Sequence, residues 1–417
     1  MNRRDFLQFG IALASPCIVP STVLGREGAV SPSEHITLGA TGCGPRGKSD
    51  LRDFLQEKDV RCLAVCDCWA ERRDIMKAMV DDHYGNRDCI AHRFHEELLA
   101  REDIDAVLIA TGDRWHTLLS VLAAREGKDV YCEKPFTMTI AEGRTLVETM
   151  NRYGTVWQCG TQRRSNETYR FVVETIRGGR IGKLRTITTS LGDWGGNGFD
   201  RPESVPKNFD YDRWLGPAPW APYSSVRVNL WRNHWDTGGG VIPDMGAHYF
   251  EFAQWAHDSE LSGPVRFDGE GEFPDDGFAN VPFTIRVEAR YADGVRILMN
   301  SGPKGVRFDG DDGWIHITDE GEITAGPESV LQGLRAPRVH WSYMRGHIRN
   351  FLDAIRSRKL TVSHPEVAHR AHTIAHCANI CLRLAREVRW NAEAERFEED
   401  EDANRMLSRT MRAPWRA

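Results

Sequence analysis

The stretch Ile36-Thr37-Leu38-Gly39-Ala40-Thr41-Gly42-Cys43-Gly44-Pro45-Arg46-Gly47 decides the fold of this 417-residue chain. A short apolar run leads into Gly42, Gly44 and Gly47, which have the spacing G-x-G-x-x-G, and a helix-like pattern follows them. At a strand–turn–helix junction the first glycine permits a tight turn, the second lets the backbone approach a pyrophosphate, and the third lets helix and strand pack closely. The helix N-terminus offers free N–H groups and a partial positive charge to phosphates. The stretch therefore predicts a dinucleotide site, and a glycine-rich surface turn without a ligand is the alternative.

A second apolar run, residues 60–66, ends in Asp67 at the distance from the glycines that a dinucleotide site requires. A carboxylate there can accept hydrogen bonds from the adenosine ribose and would repel a 2′-phosphate, which favours NAD over NADP. Arg72 and Arg73 lie close by and could accept such a phosphate, so NADP stays open. A Rossmann fold that has lost its ligand is the competing interpretation.

Composition limits the class of protein. The length predicts two domains, and the formal net charge of −6 provides no basic field that would attract nucleic acid. The cysteines are interpreted as buried core thiols, with a disulfide left open, because Cys62, Cys66 and Cys68 share one face of a strand rather than a zinc-ligand spacing. We expect no metal site.

The N-terminal residues have the pattern of a targeting segment. Residues 2–8, with Arg3 and Arg4, resemble a twin-arginine export signal, and the apolar residues that follow are too few for the ~20 that a membrane span needs. The sequence predicts a signal and linker over residues 1–33, an exported or periplasmic protein, and no membrane association after signal removal.

From residue 34 the chain alternates strand and helix patterns. Near-continuous apolar strands joined by crossover helices predict a doubly wound parallel sheet over residues 34–160. The predicted strands are Ile36–Gly39, Arg61–Cys66, Ala106–Ala110, Asp129–Cys132 and Thr155–Cys159. Residues 161–417 predict an α+β domain with a mostly antiparallel sheet for substrate and oligomer contacts. Its predicted strands are Lys183–Leu191, Phe283–Tyr291, Val295–Ser301 and Trp314–Thr318, and its long helices are His340–Arg356 and His364–Val388.

Two further stretches carry chemistry. Glu133-Lys134-Pro135 ends a strand at the carboxyl edge of the parallel sheet, where a lysine could lie beside a reacting carbon. Asp244 and His248 are four residues apart, so on a helix they share a face and a carboxylate can orient an imidazole for proton transfer. The alternatives are a solvated lysine, a helix-capping aspartate and a buried core histidine.

These three motifs, in this order, resemble the Gfo/Idh/MocA oxidoreductases from about residue 35 to the C-terminus. The resemblance implies an N-terminal Rossmann domain and a C-terminal domain with a large open sheet, through which we expect homodimers or homotetramers. Gly112 stands where proline is common in the family, which leaves the loop after strand four less fixed.

The resemblance also implies roles for residues. His248 is the acid/base, Asp244 holds its imidazole, and Lys134 stabilises the developing alkoxide. The expected cofactor residues are Gly42, Gly44, Gly47, Arg46, Asp67, Thr111, His116, Glu133 and Gln162. The expected substrate residues are Lys134, Arg163, Trp214, Arg232, Asp244 and His248.

The predicted function is hydride transfer between a sugar or polyol hydroxyl carbon and NAD(P). We expect the cofactor to be tightly bound, because an exported enzyme has no free nicotinamide pool. Two alternatives stay open: a redox-neutral NAD-dependent glycosidase that acts by transient oxidation and elimination, and a non-catalytic sugar-binding scaffold.

Overall fold

The structure is a computed structural model that describes residues 34–335, 337 and 343–415. The predicted export signal lies outside the described residues. The described part of the chain opens with the first strand of the parallel sheet, a few residues before the glycine turn. No helix in the described part of the chain is long and apolar enough to cross a bilayer.

A six-stranded parallel sheet forms the first layer, which confirms the predicted Rossmann architecture. The strand order is β3-β2-β1-β4-β5-β6, and every neighbouring pair is parallel. The strands are β1 (Ile36–Thr41), β2 (Val60–Cys66), β3 (Ile90–His92), β4 (Ala106–Ile109), β5 (Asp129–Cys132) and β6 (Trp157–Cys159). The helices between them are α1 (Pro45–Phe54), α2 (Ala70–Tyr84), α3 (His95–Leu99), α4 (Asp113–Arg125) and α5 (Ile140–Tyr153).

Local sequence explains these elements. Strands β4 and β5 are buried throughout, as expected for strands covered by helices on both faces. Helix α5 begins at Thr139, whose hydroxyl accepts the Glu142 N–H, while the Glu142 carboxylate accepts the Met138 N–H at 2.9 Å. It ends at Gly154, which adopts the left-handed conformation that glycine tolerates best.

The second sheet has nine strands in the order β13-β12-β11-β7-β10-β9-β8-β14-β15. It is mixed but mostly antiparallel, because β7 and β10 form its parallel pair. Its strands are β7 (Leu184–Ser190), β8 (Arg266–Glu272), β9 (Thr284–Arg290), β10 (Arg296–Asn300), β11 (Gly305–Gly310), β12 (Trp314–Thr318), β13 (Ile323–Gly326), β14 (Val388–Asn391) and β15 (Arg396–Phe397). The accompanying helices are α6 (Glu167–Arg177), α7 (Tyr211–Leu215), α8 (Ser225–Asn229), α9 (Val241–His257), α10 (Tyr343–Ser357), α11 (Pro365–Leu384) and α12 (Glu401–Arg405).

Buried residues of this sheet share one core with helices α6, α9 and α11. Strand β9 alternates buried and exposed side chains, so one face of the sheet packs on the helices and the other faces outward. The predicted α+β domain is thereby confirmed.

The structure corrects several predicted boundaries. The predicted helix His364–Val388 is too long, since α11 ends at Leu384 and Ala385 has a left-handed φ of 50°. Val388 instead begins β14. The sequence also missed short or glycine-containing strands, among them β8 and β11, because neither carries a clear alternating pattern of apolar residues.

Residues 208–232 of the C-terminal region reach back over the Rossmann sheet, and we call them the covering segment. The Asp210 N–H donates to the Cys68 carbonyl at 2.9 Å, and the Phe209 ring stacks on Trp69 at 4.5 Å between centroids. Arg93 forms an ion pair with Asp210 at 2.7 Å. Both domains therefore contribute walls to one cleft.

The nine described cysteines are free thiols, and eight of them are buried while Cys68 is half-buried. The interpretation as core thiols is confirmed for those eight. Within the described residues, no group of three or more His, Cys, Asp or Glu side chains could hold a metal ion.

Candidate active site

The three glycines of the turn after β1 differ in whether the structure would tolerate a side chain at their positions. Gly42 has φ of +91°, and a Cβ there would lie 2.5 Å from the Ala110 backbone. A Cβ on Gly47 would lie 1.9 Å from the Gly42 carbonyl oxygen. Gly44 has an ordinary φ of −68°, and a Cβ there would meet only Arg72 Nη1, at 3.7 Å. Neither backbone nor packing requires glycine at position 44, so the open space above it is a cradle that a side chain would fill.

That space belongs to a cavity of about 410 Å³, which is within the range of small-ligand pockets. Helix α1 begins there with no side-chain cap and no acidic residue in its first turn, so its N-terminus is available to an anion. The predicted residues Gly42, Gly44, Arg46, Asp67, Thr111, Trp214 and Arg232 all line it. The turn, the cavity and the helix N-terminus together fit a dinucleotide.

Asp67 connects β2 to the glycine turn. Its carboxylate accepts the Cys43 N–H at 2.7 Å and the Trp69 N–H at 2.8 Å, and burial raises its pKa. Each carboxylate oxygen can accept a second hydrogen bond, so the predicted contact with a ribose is compatible with these two. Arg73 donates to the Asp67 carbonyl at 3.0 Å, whereas Arg72 stacks on Trp69 and lines the cavity.

Glu133 and Gln162, two further predicted cofactor residues, are not among the side chains that line this cavity. Gln162 Nε2 donates to Glu133 Oε1 at 2.8 Å and to the Tyr131 hydroxyl at 3.2 Å. Arg46 donates to the same Glu133 oxygen at 2.8 Å and pairs with Asp50 at 2.8 Å. Glu133 and Gln162 therefore hold Arg46, which itself faces the cavity.

His116 is also a positioning residue. Its Nδ1 lies 2.7 Å from the Pro135 carbonyl oxygen and its Nε2 lies 3.2 Å from the Thr111 carbonyl oxygen. Burial lowers its pKa to about 4, so the ring is neutral and has one N–H, which the shorter contact assigns to Nδ1. His116 fixes the chain after Lys134 against the loop that carries Thr111, and it does not line the cavity.

Lys134 and Asp244 come together from the two domains. Lys134 follows β5, and Asp244 lies in the first turn of α9, where the helix dipole favours a carboxylate. The Lys134 ammonium donates to the Asp244 carbonyl at 2.8 Å and to Asp244 Oδ1 at 3.1 Å. Arg232 Nε lies 3.5 Å from the same Oδ1. Burial alone would raise the pKa of Asp244, but the Lys134 and Arg232 cations hold it below its ordinary value.

His248 lies one helical turn beyond Asp244 and is buried. The expected hydrogen bond from Asp244 to its imidazole is not formed, because Asp244 is held by Lys134 and Arg232, and His248 Nδ1 has no hydrogen-bonding partner among the described residues. Burial, followed by the charges of Arg163 and Lys134, lowers the pKa of His248 well below its usual range. The imidazole is therefore neutral at pH 7 and able to accept a proton.

Two other expected substrate residues are differently engaged. Arg163 is ion-paired with Asp319 and donates to the Tyr169 hydroxyl at 3.1 Å. Trp214 lies under the Arg114 guanidinium at 4.1 Å and lines the cavity beside the glycine turn. Arg163 thus acts beside His248 through its charge, and Trp214 is a wall of the nucleotide cavity.

Sequence reasoning missed Asp113, a buried carboxyl between the cavity loop and this cluster. Burial raises its pKa to about 7, while Arg232 and Lys134 oppose that effect. Its position two residues after Thr111 was an available signal, since that loop had been assigned to the nucleotide. Lys304 was also missed, and nothing in the sequence connects its loop to Asp244.

Comparison with known proteins agrees with this architecture. The myo-inositol 2-dehydrogenase of Thermotoga maritima is 23% identical over 224 residues, which is 54% of this chain and 55% of that protein. A glycosyl hydrolase family 109 protein of Solibacter usitatus is 30% identical over 162 residues, 36% of each chain. The chain thus spans about half or less of the length of these curated relatives.

Among solved structures, the aldose-aldose oxidoreductase of Caulobacter crescentus complexed with glycerol superposes with a TM-score of 0.65 at 18% identity. The match covers 85% of this chain and 99% of that chain, and at this identity it shows the fold alone.

Two family profiles match in series. Residues 36–161 match the NAD-binding Rossmann fold of the oxidoreductase family, and residues 186–417 match its C-terminal alpha/beta domain. The chain belongs to the Gfo/Idh/MocA family of NAD-binding oxidoreductases.

Proposed function

We propose that the protein is an NAD-dependent oxidoreductase that transfers a hydride between a carbinol carbon of a carbohydrate or polyol and the nicotinamide. The proposal rests on one observation: a residue of the cavity wall directly contacts the cluster of reactive side chains. Arg232 lines the nucleotide cavity and also contacts Asp244, which holds Lys134. A substrate next to Arg232 would therefore lie beside the cavity and the Lys134 ammonium, whose charge also acts on the His248 imidazole.

Each residue of the cluster has a separate role in the proposed reaction. His248 is neutral because its pKa is lowered by burial and by neighbouring cations, so it can take the proton of the substrate hydroxyl. Lys134 uses two donor contacts on Asp244, and an ammonium has three N–H groups, so one stays available to the developing alkoxide oxygen. Asp244 fixes the ammonium in place. The bound nicotinamide supplies the carbon that accepts the hydride.

The test is oxidation of sugars and polyols by the purified, NAD⁺-loaded protein, followed in a single turnover by the absorbance of the bound NADH and by product analysis. We expect oxidation of at least one substrate, and its loss in Lys134→Met. Lys359→Met, at an exposed lysine outside the cavity, is the matched control. Equal rates in both variants would remove Lys134 from the mechanism.

A redox-neutral glycosidase is the second candidate, and the likeness to glycosyl hydrolase family 109 proteins favours it over part of the chain. The same proton-transfer groups would serve, since oxidation at one sugar carbon acidifies its neighbour and permits elimination. Incubation with aryl glycosides separates the two candidates. Release of the aglycone without net NADH supports the glycosidase, and reduction of the bound NAD⁺ by free sugars supports the dehydrogenase.

We also propose that the cofactor is retained between turnovers, that the protein is exported, and that it assembles through the outward face of the nine-stranded sheet. The covering segment supports retention, the twin-arginine motif supports export, and the alternation of buried and exposed residues along β9 supports an open face. Mass spectrometry of the purified protein tests for bound nucleotide. Light scattering tests for a dimer or tetramer.

A further inference from the structure

The site holds more positive charge than its carboxylates balance. Lys134 and Arg232 both act on the single carboxylate of Asp244, at 3.1 and 3.5 Å from the same oxygen. Lys304, from the loop between β10 and β11, is exposed and forms no ion pair with a described residue, and its charge also acts on Asp244 and Asp319. Asp319 is already paired with Arg163, so it does not offset Lys304.

Among the described residues, the Asp113 carboxyl also interacts with Arg232, and it reduces the excess of positive charge without removing it. Because its burial raises its pKa to about 7, only part of the population carries a charge at neutral pH. Three cations therefore face one full and one partial negative charge.

The guanidinium of Arg232 is placed where it could bind a ligand. Its guanidinium stacks on the Trp231 ring at 4.2 Å, and nearly half of its side chain is exposed, at 45%. The 3.5 Å approach of its Nε to Asp244 is too long for a strong hydrogen bond, and in the described structure its terminal nitrogens donate to no other residue. A planar guanidinium fixed by an aromatic ring, with free donors in a cleft, matches the two oxygens of a carboxylate.

The position of Arg232 decides which molecule would supply that carboxylate. Arg232 lines the cavity and also approaches Asp244, which holds Lys134, whereas Arg46 and the N-terminus of α1 belong to the glycine turn. We propose that Arg232, supported by Lys304, binds a carboxylate of the substrate, so that the preferred substrate is an acidic sugar such as a hexuronate or an aldonate. This inference rests on the proposed function, because it names the substrate class of the same site.

The test compares matched sugar pairs on the NAD⁺-loaded protein: glucuronate with glucose and galacturonate with galactose, with glucose 6-phosphate as the phosphate arm. Calorimetry gives Kd and needs no turnover, and the rate at which each sugar reduces the bound NAD⁺ gives the preference in the reaction. We expect each uronate to bind roughly 10- to 100-fold more tightly than its neutral partner, the range of one charge-assisted hydrogen-bonding group. In Arg232→Gln that preference should fall to within a few-fold, and Arg232→Lys should keep part of it.

Arg170→Gln is the matched control, since Arg170 is an exposed arginine of α6 that lies outside the cavity and should leave the preference intact. Equal binding of uronate and neutral sugar, or a preference that survives Arg232→Gln, would overturn the inference. So would selective binding of the phosphate ester, or a loss of NAD⁺ affinity in Arg232→Gln without a change in sugar preference. Arg232-dependent uronate binding without any turnover would keep the inference and defeat the proposed oxidoreductase activity.

Discussion

Replacing two glycines of the same turn by alanine should separate nucleotide binding from folding. Alanine at position 44 adopts the existing φ of −68° without strain, and its methyl group would project into the cavity with Arg72 Nη1 as nearest neighbour at 3.7 Å. Alanine at position 47 would place its methyl 1.9 Å from the Gly42 carbonyl oxygen, so the backbone would have to move.

The expected magnitudes differ accordingly. Gly44→Ala loses a favourable residue at the helix N-cap, about 1 kcal/mol at most, and gains roughly 0.4–1 kcal/mol because the unfolded chain has fewer conformations. The free energy of unfolding should change little. Its methyl would displace a pyrophosphate from the backbone N–H groups, and hydrogen bonds to a charged group contribute roughly 1.5–3 kcal/mol each. We therefore expect Kd for NAD⁺ to rise about 10- to 100-fold. Gly47→Ala should destabilise the protein by about 1–3 kcal/mol or more.

The assay measures thermal denaturation of nucleotide-free protein and calorimetric titration with NAD⁺. Gly44→Ala should melt close to the wild type and bind poorly, whereas Gly47→Ala should melt earlier. Wild-type affinity in a folded Gly44→Ala protein would refute the assignment of this cradle to the pyrophosphate.

Further predictions concern catalysis, retention and pH. His248→Ala should lower kcat by roughly 10²–10⁴-fold if it transfers the proton, while His257→Ala, at the end of the same helix, should not; equal rates in a folded His248→Ala protein would contradict its role. Phe209→Ala should release bound nucleotide faster than the control Phe199→Ala, which changes an exposed phenylalanine, because Phe209 stacks on Trp69 and Phe199 does not. Stopped-flow exchange of NAD⁺ measures both rates. Stability should fall between pH 7 and pH 5, since buried histidines with lowered pKa stay neutral in the folded chain while the unfolded chain binds protons below about 6.5, at a cost of up to about 2 kcal/mol each at pH 5. A melting temperature that does not change between these pH values would refute this. The histidines with the clearest shifts are His116 and His347, lowered to about 4, and His372, lowered to about 3, each first by burial.

Local sequence was sufficient for five of the six strands of the Rossmann sheet, and it missed the three-residue edge strand β3 (Ile90–His92). The apolar strands and the glycine spacing have local physical causes, and the structure reproduces both, including the separate reasons for Gly42 and Gly47. Strand β11 was not predicted because it begins and ends in glycine, at Gly305 and Gly310, and because its partners β7 and β12 are set by long-range pairing. Sequence alternation cannot report such pairing.

The sequence predicted which residues belong to the site better than it predicted which of them contact one another. The spacing of Asp244 and His248 suggested a hydrogen bond between them, but a partner distant in sequence, Lys134, takes the carboxylate instead. The sequence associates Glu133 and Gln162 with the nucleotide, and in the structure Gln162 donates to Glu133, which in turn holds Arg46 at the cavity. Which side chain satisfies a carboxylate depends on the three-dimensional arrangement of both domains, and no single motif contains it.

The covering segment changes how such an enzyme would work as a catalyst. Its backbone pairing at Cys68, the Phe209–Trp69 stack and the Arg93–Asp210 ion pair would have to separate together before a dinucleotide could leave. A nucleotide held in this way behaves as a prosthetic group, reduced by one substrate and reoxidised in place by the next. Kinetics would then be ping-pong, with electron donor and electron acceptor competing for the same cleft, and flux would depend on the supply of the second carbohydrate instead of on any soluble coenzyme.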